Sequence, residues 1–149
     1  MAEDVAKTSQ GQYLVVVGYG VPGRAVAELA HDRGVETTVI ESNEGTVKRC
    51  GKSGPKMIAG DARDAAVLEK AEIRRATLIV VAIPDQEAAL QITRIARHMN
   101  PSAKIVMRCH FISVGYEARA AGADEVVVEE KIVASEMSAI VSPLLGTIE

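Results

Sequence analysis

The residues that could do chemistry begin with Gly18-Tyr19-Gly20-Val21-Pro22-Gly23, a G-x-G-x-x-G spacing. It follows an apolar run, Tyr13–Gly18, and opens a helical pattern. That context makes an otherwise weak motif a strong one. Gly18 permits a tight turn. Gly20 lets backbone amides approach a pyrophosphate with no Cβ between them. Gly23 lets helix and strand pack closely. The N–H groups and the positive dipole end of the helix then face phosphate oxygens. The chemistry implied is recognition of a phosphate ester, with no covalent step.

Glu41 closes the next strand, near the ~20-residue spacing at which an acidic residue accepts hydrogen bonds from ribose hydroxyls. A carboxylate there repels a 2′-phosphate, so NAD-type or adenosine ligands are expected over NADP. Gly60-Asp61-Ala62 follows the third strand, on the expected adenine side. Asp61 either accepts from an adenine amino group or shapes the start of a helix. Ala82-Ile83-Pro84 ends the fourth strand, across from the glycine loop, and can line the second half of a dinucleotide. Arg108 ends the fifth strand. It reaches a phosphate, a neighbouring subunit or a surface ion-pair partner.

Other chemistries lack their residues. His31, His98 and His110 are dispersed, and no triple has metal-ligand spacing. Cys50 and Cys109 stand alone, without C-x-x-C spacing, and read as reduced residues. Tyr116 is followed by Glu117-Ala118-Arg119-Ala120, so the Tyr-x-x-x-Lys of a short-chain dehydrogenase is missing.

The elements that must hold these residues alternate. Tyr13–Gly18 reads as a strand buried on both faces, and Val21–Arg33 as a helix stopped by Gly34. Glu36–Glu41 is a strand, and Ser42 or Asn43 caps a short helix to Cys50. Lys56–Ala59 is a strand, Asp64–Ala71 a helix and Thr77–Ile83 the most apolar strand. Asp85 caps a long helix to Met99. Ala103–Arg108, Phe111–Ala121 and Glu125–Val128 read as strand, helix and strand. The alternation predicts a Rossmann-like, doubly wound α/β fold: a six-stranded parallel sheet, order 3-2-1-4-5-6, with helices on both faces. Residues 1–11 are expected to be a flexible leader, 12–129 the nucleotide-binding domain, and 130–149 a C-terminal helix and tail. In that helix Ile132, Val133, Met137, Ile140 and Val141 lie near one face. It either packs on its own sheet or crosses to a partner subunit, and the second is favoured.

The composition fits one globular domain: 149 residues, 48% hydrophobic, 25% charged, net charge −3. Mild acidity and 3% aromatic content argue against a nucleic-acid partner. The longest apolar run, Leu78–Pro84, is far short of the ~20 residues of a membrane helix. Met1–Gln10 is polar and shows no signal-peptide core. A reduced, cytoplasmic protein with no direct membrane insertion is expected.

The segments Val15–Gly23, Val39-Ile40-Glu41-Ser42, Gly60-Asp61-Ala62, Ala71–Ala76 and Ala121–Val126 together resemble the RCK domain, also called KTN or TrkA-N. The likeness runs in order from about Tyr13 to Ala139. Ile83-Pro84, Met107–His110 and Val127–Met137 are most similar to the cytoplasmic domain of Kef-type cation/proton antiporters. The resemblance implies a regulatory domain of a potassium channel or cation transporter. It would bind NAD(H), AMP, ADP or ATP, and form a homodimer or a ring through the C-terminal helix. It also implies that Glu41 holds the ribose, that Asp61 and Ala62 border the adenine, and that Arg108 reaches toward the phosphates.

The cofactor-binding set so predicted is Gly18, Tyr19, Gly20, Val21, Pro22, Gly23, Glu41, Ser42, Gly60, Asp61, Ala62, Ala82, Ile83, Pro84 and Arg108. No catalytic or metal-binding residue is expected. Many relatives carry an arginine in the glycine loop where Val21-Pro22 stands here. That contact is either lost or supplied by Arg24 or Arg108. The competing reading is a small NAD-dependent oxidoreductase, or a fragment of one, with His110 as the only proton donor near the ligand edge.

Overall fold

The computed structural model describes residues 11–51 and 53–147. Most of the expected leader, residues 1–10, lies outside them. The order of elements is β1 (Tyr13–Val17), α1 (Val21–Asp32), β2 (Glu36–Glu41), α2 (Glu44–Cys50), β3 (Lys56–Ala59), α3 (Ala65–Lys70), β4 (Leu78–Val81), α4 (Gln86–Met99), β5 (Lys104–Cys109), α5 (Ile112–Ala121), β6 (Glu125–Val128) and α6 (Glu129–Val141). Short 3₁₀ turns occupy Ile73–Arg75 and Ser142–Leu144. All six strands are parallel, in the order β3-β2-β1-β4-β5-β6. This is the Rossmann-like arrangement that the alternation predicts.

The unbroken apolar run of β1 has a direct cause. Tyr13, Val15 and Val17 join a core with Leu68, Ala89, Ile92, Ile105 and Met107, under α3 and α4. Leu14 and Val16 join the other core, with Ala27 and Ala30 of α1, Val39 and Val80. Alternate side chains of a strand point to opposite faces, and here both faces are covered.

Side chains start three helices. Asn43 accepts from the Thr46 N–H at 3.0 Å, Asp64 from Ala66 at 2.9 Å and Asp85 from Ala88 at 2.9 Å. Each satisfies an amide that would otherwise lack a partner at the helix end. Helix α1 is different. Its N-cap is Gly20, a proline sits in its first turn, and no side chain caps it.

The fourth strand is shorter than Thr77–Ile83. Its partner β1 pairs only as far as Val17 with Val81, and Gly18 then turns away at φ +97°. Ala82-Ile83-Pro84 therefore leaves the ladder and forms an edge. The helix expected over Asp64–Ala71 spans Ala65–Lys70, with Asp64 and Ala71 as its caps.

No residue of α6 is buried, and Ile132, Val133, Met137 and Ile140 are each 55–60% exposed. Of the two packings considered for this helix, the one on its own sheet does not occur.

Asn100, 2% exposed, ties α4 to the sheet at the end opposite the glycine loop. Its amide donates to the carbonyls of Ile73 and Ala76, both at 2.8 Å, and its oxygen accepts from the Ala103 N–H at 3.0 Å. Asn100→Ala strands these buried groups and is expected to lower unfolding free energy by about 2–4 kcal/mol. Urea denaturation followed by circular dichroism measures this.

Candidate functional site

A cleft of about 600 Å³ opens at the carboxyl edge of the sheet, where the strand order reverses between β1 and β4. Open parallel sheets place ligands at that switch point, and the size is ordinary for a small-molecule site. Four connections build its rim. The β1–α1 loop contributes Gly18, Tyr19, Gly20, Val21 and Pro22. The end of β2 contributes Glu41 and Ser42. The β3–α3 loop brings Gly60, Asp61 and Ala62, and the β4–α4 edge brings Ala82, Ile83 and Pro84. Arg108 enters from β5. Every residue of the predicted set lines the cleft except Gly23. Val17, Ile40, Arg63, Asp85, Ala88 and Ile92 line it as well and were not predicted.

Gly23 acts beneath the cleft. A Cβ there would stand 1.9 Å from the Gly18 carbonyl oxygen, so only hydrogen lets α1 start over the end of β1. Gly20 is the opposite case. A Cβ there meets no atom within 4 Å, because the position faces the open cleft. Two backbone bonds fix the rim: the Gly18 N–H donates to Ile40 O at 2.8 Å, and the Gly60 N–H donates to Glu41 O at 3.0 Å. The Glu41 carboxylate takes the Ser42 N–H at 3.1 Å.

The cations of the cleft are paired. The Arg63 guanidinium forks onto Asp61 at 2.6–3.1 Å, and the Arg63 backbone N–H adds a bond at 2.9 Å. Arg63 thereby holds the Asp61 carboxyl below the usual carboxylate range, and Asp61 raises the guanidinium in return. Both side chains are about half exposed. Arg108 donates to Glu129 Oε1 at 2.5 Å and to Ala82 O at 3.1 Å, so it is at once an ion-pair member and a cleft residue. Arg24 lies 5.1 Å from the ring centroid of Tyr19 and does not line the cleft.

His110 also lies off the cleft. Its Nε2 contacts Pro84 O at 2.7 Å, its Nδ1 contacts the Glu129 carboxylate, and its backbone N–H donates to Gln86 Oε1 at 2.8 Å. No sequence pattern points to Gln86 or Glu129 as its neighbours. Among the described residues no group of His, Cys, Asp and Glu is arranged to hold a metal. Nor is any helix long and apolar enough to cross a membrane.

Fold and cleft together define a Rossmann-like domain of the nucleotide-binding type. Residues 14–129 match the TrkA-N domain family, and the chain belongs to it. Among curated relatives it is 28% identical over 109 residues to the glutathione-regulated potassium-efflux system protein KefC of Cronobacter sakazakii, covering 73% of this chain and 18% of that protein. The chain thus spans about a fifth of the length of the curated relatives it matches.

Solved structures agree. The TrkA-N domain of the inner membrane protein ybaL from Escherichia coli superposes with a TM-score of 0.82 at 26% identity, over 87% of this chain and 96% of that one. The Kef C-terminal domain of Shewanella denitrificans, in AMP-bound form, gives 0.78 at 26%, over 91% and 82%. The GsuK channel bound to NAD gives 0.78 at 27%, over 88% and 23%.

The two loop glycines should separate by experiment. Gly23→Ala is expected to abolish cooperative folding or cost several kcal/mol, since the clash is with backbone. Gly20→Ala should leave stability unchanged within about 0.5 kcal/mol. Thermal unfolding of the two variants tests this.

Proposed function

We propose that this chain is a nucleotide-sensing regulatory domain of a potassium channel or monovalent cation/proton antiporter. It binds NAD(H) or an adenine nucleotide without turning it over. The observation that carries the reading is that the uncapped start of α1 and the Glu41 carboxylate line one cleft. An adenosine 5′-phosphate needs anion-binding amides at one end and an acceptor for ribose hydroxyls at the other. AMP and NAD, the ligands of two similar structures, share that unit.

In this reading Gly18, Tyr19, Gly20, Val21 and Pro22 cradle the phosphate, and Glu41 with Ser42 holds the ribose. Asp61 and Ala62 border the adenine. Ala82, Ile83 and Pro84 face the second half of a dinucleotide. Arg108 and Arg63 supply positive charge once a phosphate draws them from their carboxylates. Residues 12–129 form the nucleotide-binding unit, and α6 with the tail docks on a second copy of the chain, in a dimer or ring. Such an assembly sits at the cytoplasmic face of a membrane partner. A ligand that binds one geometry of the dimer tenfold tighter shifts the balance by about 1.4 kcal/mol, which is enough to bias a gate. The oxidoreductase alternative lacks its proton donor at the cleft: His110 does not line it, and both ring nitrogens already have partners, Pro84 O and the Glu129 carboxylate.

Isothermal titration with AMP, ADP, ATP, NAD, NADH and NADPH is the test. Micromolar binding of adenine nucleotides is expected, with NADPH weaker. Glu41→Ala should weaken NAD about tenfold or more and narrow the gap to NADPH, and Gly20→Val should abolish binding. Absence of binding in the wild type, or steady NADH oxidation with a small carbonyl substrate, would overturn the proposal. For the assembly, Met137→Glu is expected to move sedimentation from dimer toward monomer, since it places a charge on the apolar face of α6.

A further inference from the structure

The cluster around His110 is not part of the cleft, yet it touches three elements that are. His110 follows β5. Its ring nitrogens meet the carbonyl oxygen of Pro84 and the carboxylate of Glu129. Both partners are acceptors. A neutral imidazole carries one N–H, so only the doubly protonated ring donates to both. The backbone of His110 is held as well. Its N–H donates to Gln86 Oε1 at the start of α4, and its carbonyl accepts from the Glu130 N–H at 3.1 Å, in the first turn of α6. The Glu130 carboxylate in turn accepts from the Ile112 N–H at 3.0 Å.

Glu129, the first residue of α6, divides its carboxylate between His110 and Arg108. Arg108 continues to Ala82 O, and Ala82, Pro84 and Arg108 all line the cleft.

We propose that His110 is a proton-binding site that fastens the base of α6 to the rim of the cleft, so that a proton there and an anionic ligand in the cleft favour one another. For the ligand, this rests on the nucleotide reading above. The charged groups that face the ring are Glu129 from α6 and Arg108 from β5. The start of α4 offers the neutral Gln86, and Glu130 is engaged by Ile112. The Glu129 carboxylate, then the Pro84 carbonyl, lift His110 above the ordinary histidine range, while Arg108 opposes them. His110 and Arg108 hold Glu129 below the usual carboxylate range.

The sign follows from these directions. The fastening is complete below the ordinary histidine value of about 6.5 and is lost as pH rises through the raised value in the folded protein. Glu129 stays ionised throughout that window. Once the ring loses a proton, one contact sets acceptor against acceptor, and the rim or the base of α6 is released. A phosphate that draws Arg108 toward the cleft leaves more of Glu129 to His110. It also removes positive charge from beside the imidazolium. Both changes raise the proton affinity of His110, and by reciprocity the proton tightens the ligand.

The experiment has two arms on the full chain. In the first, the His110 ring is followed by NMR from about pH 5 to about pH 9.5, in the wild type and in Glu129→Gln. The expected midpoint lies above that of free histidine and falls toward it in the variant. The Glu130 and Asp85 amides should move with the same midpoint. A wild-type midpoint at or below that of free histidine overturns the proton site.

In the second arm, NAD is titrated by calorimetry across the same range, because its diphosphate does not change charge there. Affinity is expected to weaken about threefold from about pH 6 to about pH 9 in the wild type and to stay flat in His110→Gln. NAD that binds the wild type with pH-independent affinity overturns the link. If NAD does not bind at all, the nucleotide reading and the link fall together, and the ring titration alone decides the proton site.

Discussion

The approach of α1 to the end of β1 is the constraint on which the rest of this structure depends. The Gly18 carbonyl occupies the space that any side chain at position 23 would need. Because Gly23 has none, the helix begins directly above the strand and its uncapped first turn meets the cleft. Gly18 completes the arrangement from the other side. Its φ of +97° turns the chain within one residue, and a Cβ there would press on Ile83 Cγ2 at 2.9 Å. The loop after β1 and the edge after β4 thus approach closely at Gly18, and both go on to line the cleft.

A second property of the site is electrostatic restraint. Arg63 and Arg108, the two guanidinium groups that line the cleft, already have carboxylate partners. The Arg63 pair is half exposed, and such pairs contribute little, about 0–1 kcal/mol. An incoming anion can therefore take over this guanidinium at small cost. The Arg108 pair is less exposed and shares its carboxylate with His110, so moving it disturbs a second group. The two cations sit on the same cleft but couple it to different parts of the molecule.

Much of this was legible in the chain because it is local. The sheet order follows from alternation and from the position of the glycine loop, and β2, β3 and β6 have the expected bounds. The cap Asp85 could be read from residue type and place, and Asn43 was one of two candidates, whereas Asp64 reads as the first helical residue and is the cap. The members of the cleft were found because strand ends in a parallel sheet converge on one edge. What escaped was pairing over distance. Glu129 finds Arg108 and His110 only because β6 lies beside β5, and nothing in the spacing marks it. Arg63 is two residues from Asp61, yet the fork between them depends on a turn that residue types do not specify. Pro84 reads only as lining for the second half of a dinucleotide, but its carbonyl oxygen also meets the His110 ring. For α6 a helix crossing to a partner was favoured over packing on its own sheet, but residue types alone did not decide it, since an apolar stripe looks the same whichever surface covers it.

The sheet order also dictates how the molecule must assemble. Strand β1 lies at its centre, bonded to β2 on one side and to β4 on the other, with Leu14 opposite Leu78. Strands β1, β2 and β3 can associate as soon as they exist, but the other edge of β1 waits until some sixty further residues have emerged. Of the two seams along β1, the later one to close is the one whose carboxyl end borders the cleft. During synthesis this edge of β1 is an exposed, apolar, unpaired strand, which is a template for wrong partners as much as for β4. The architecture that makes the pocket therefore also leaves the central strand half-paired while the chain is still emerging.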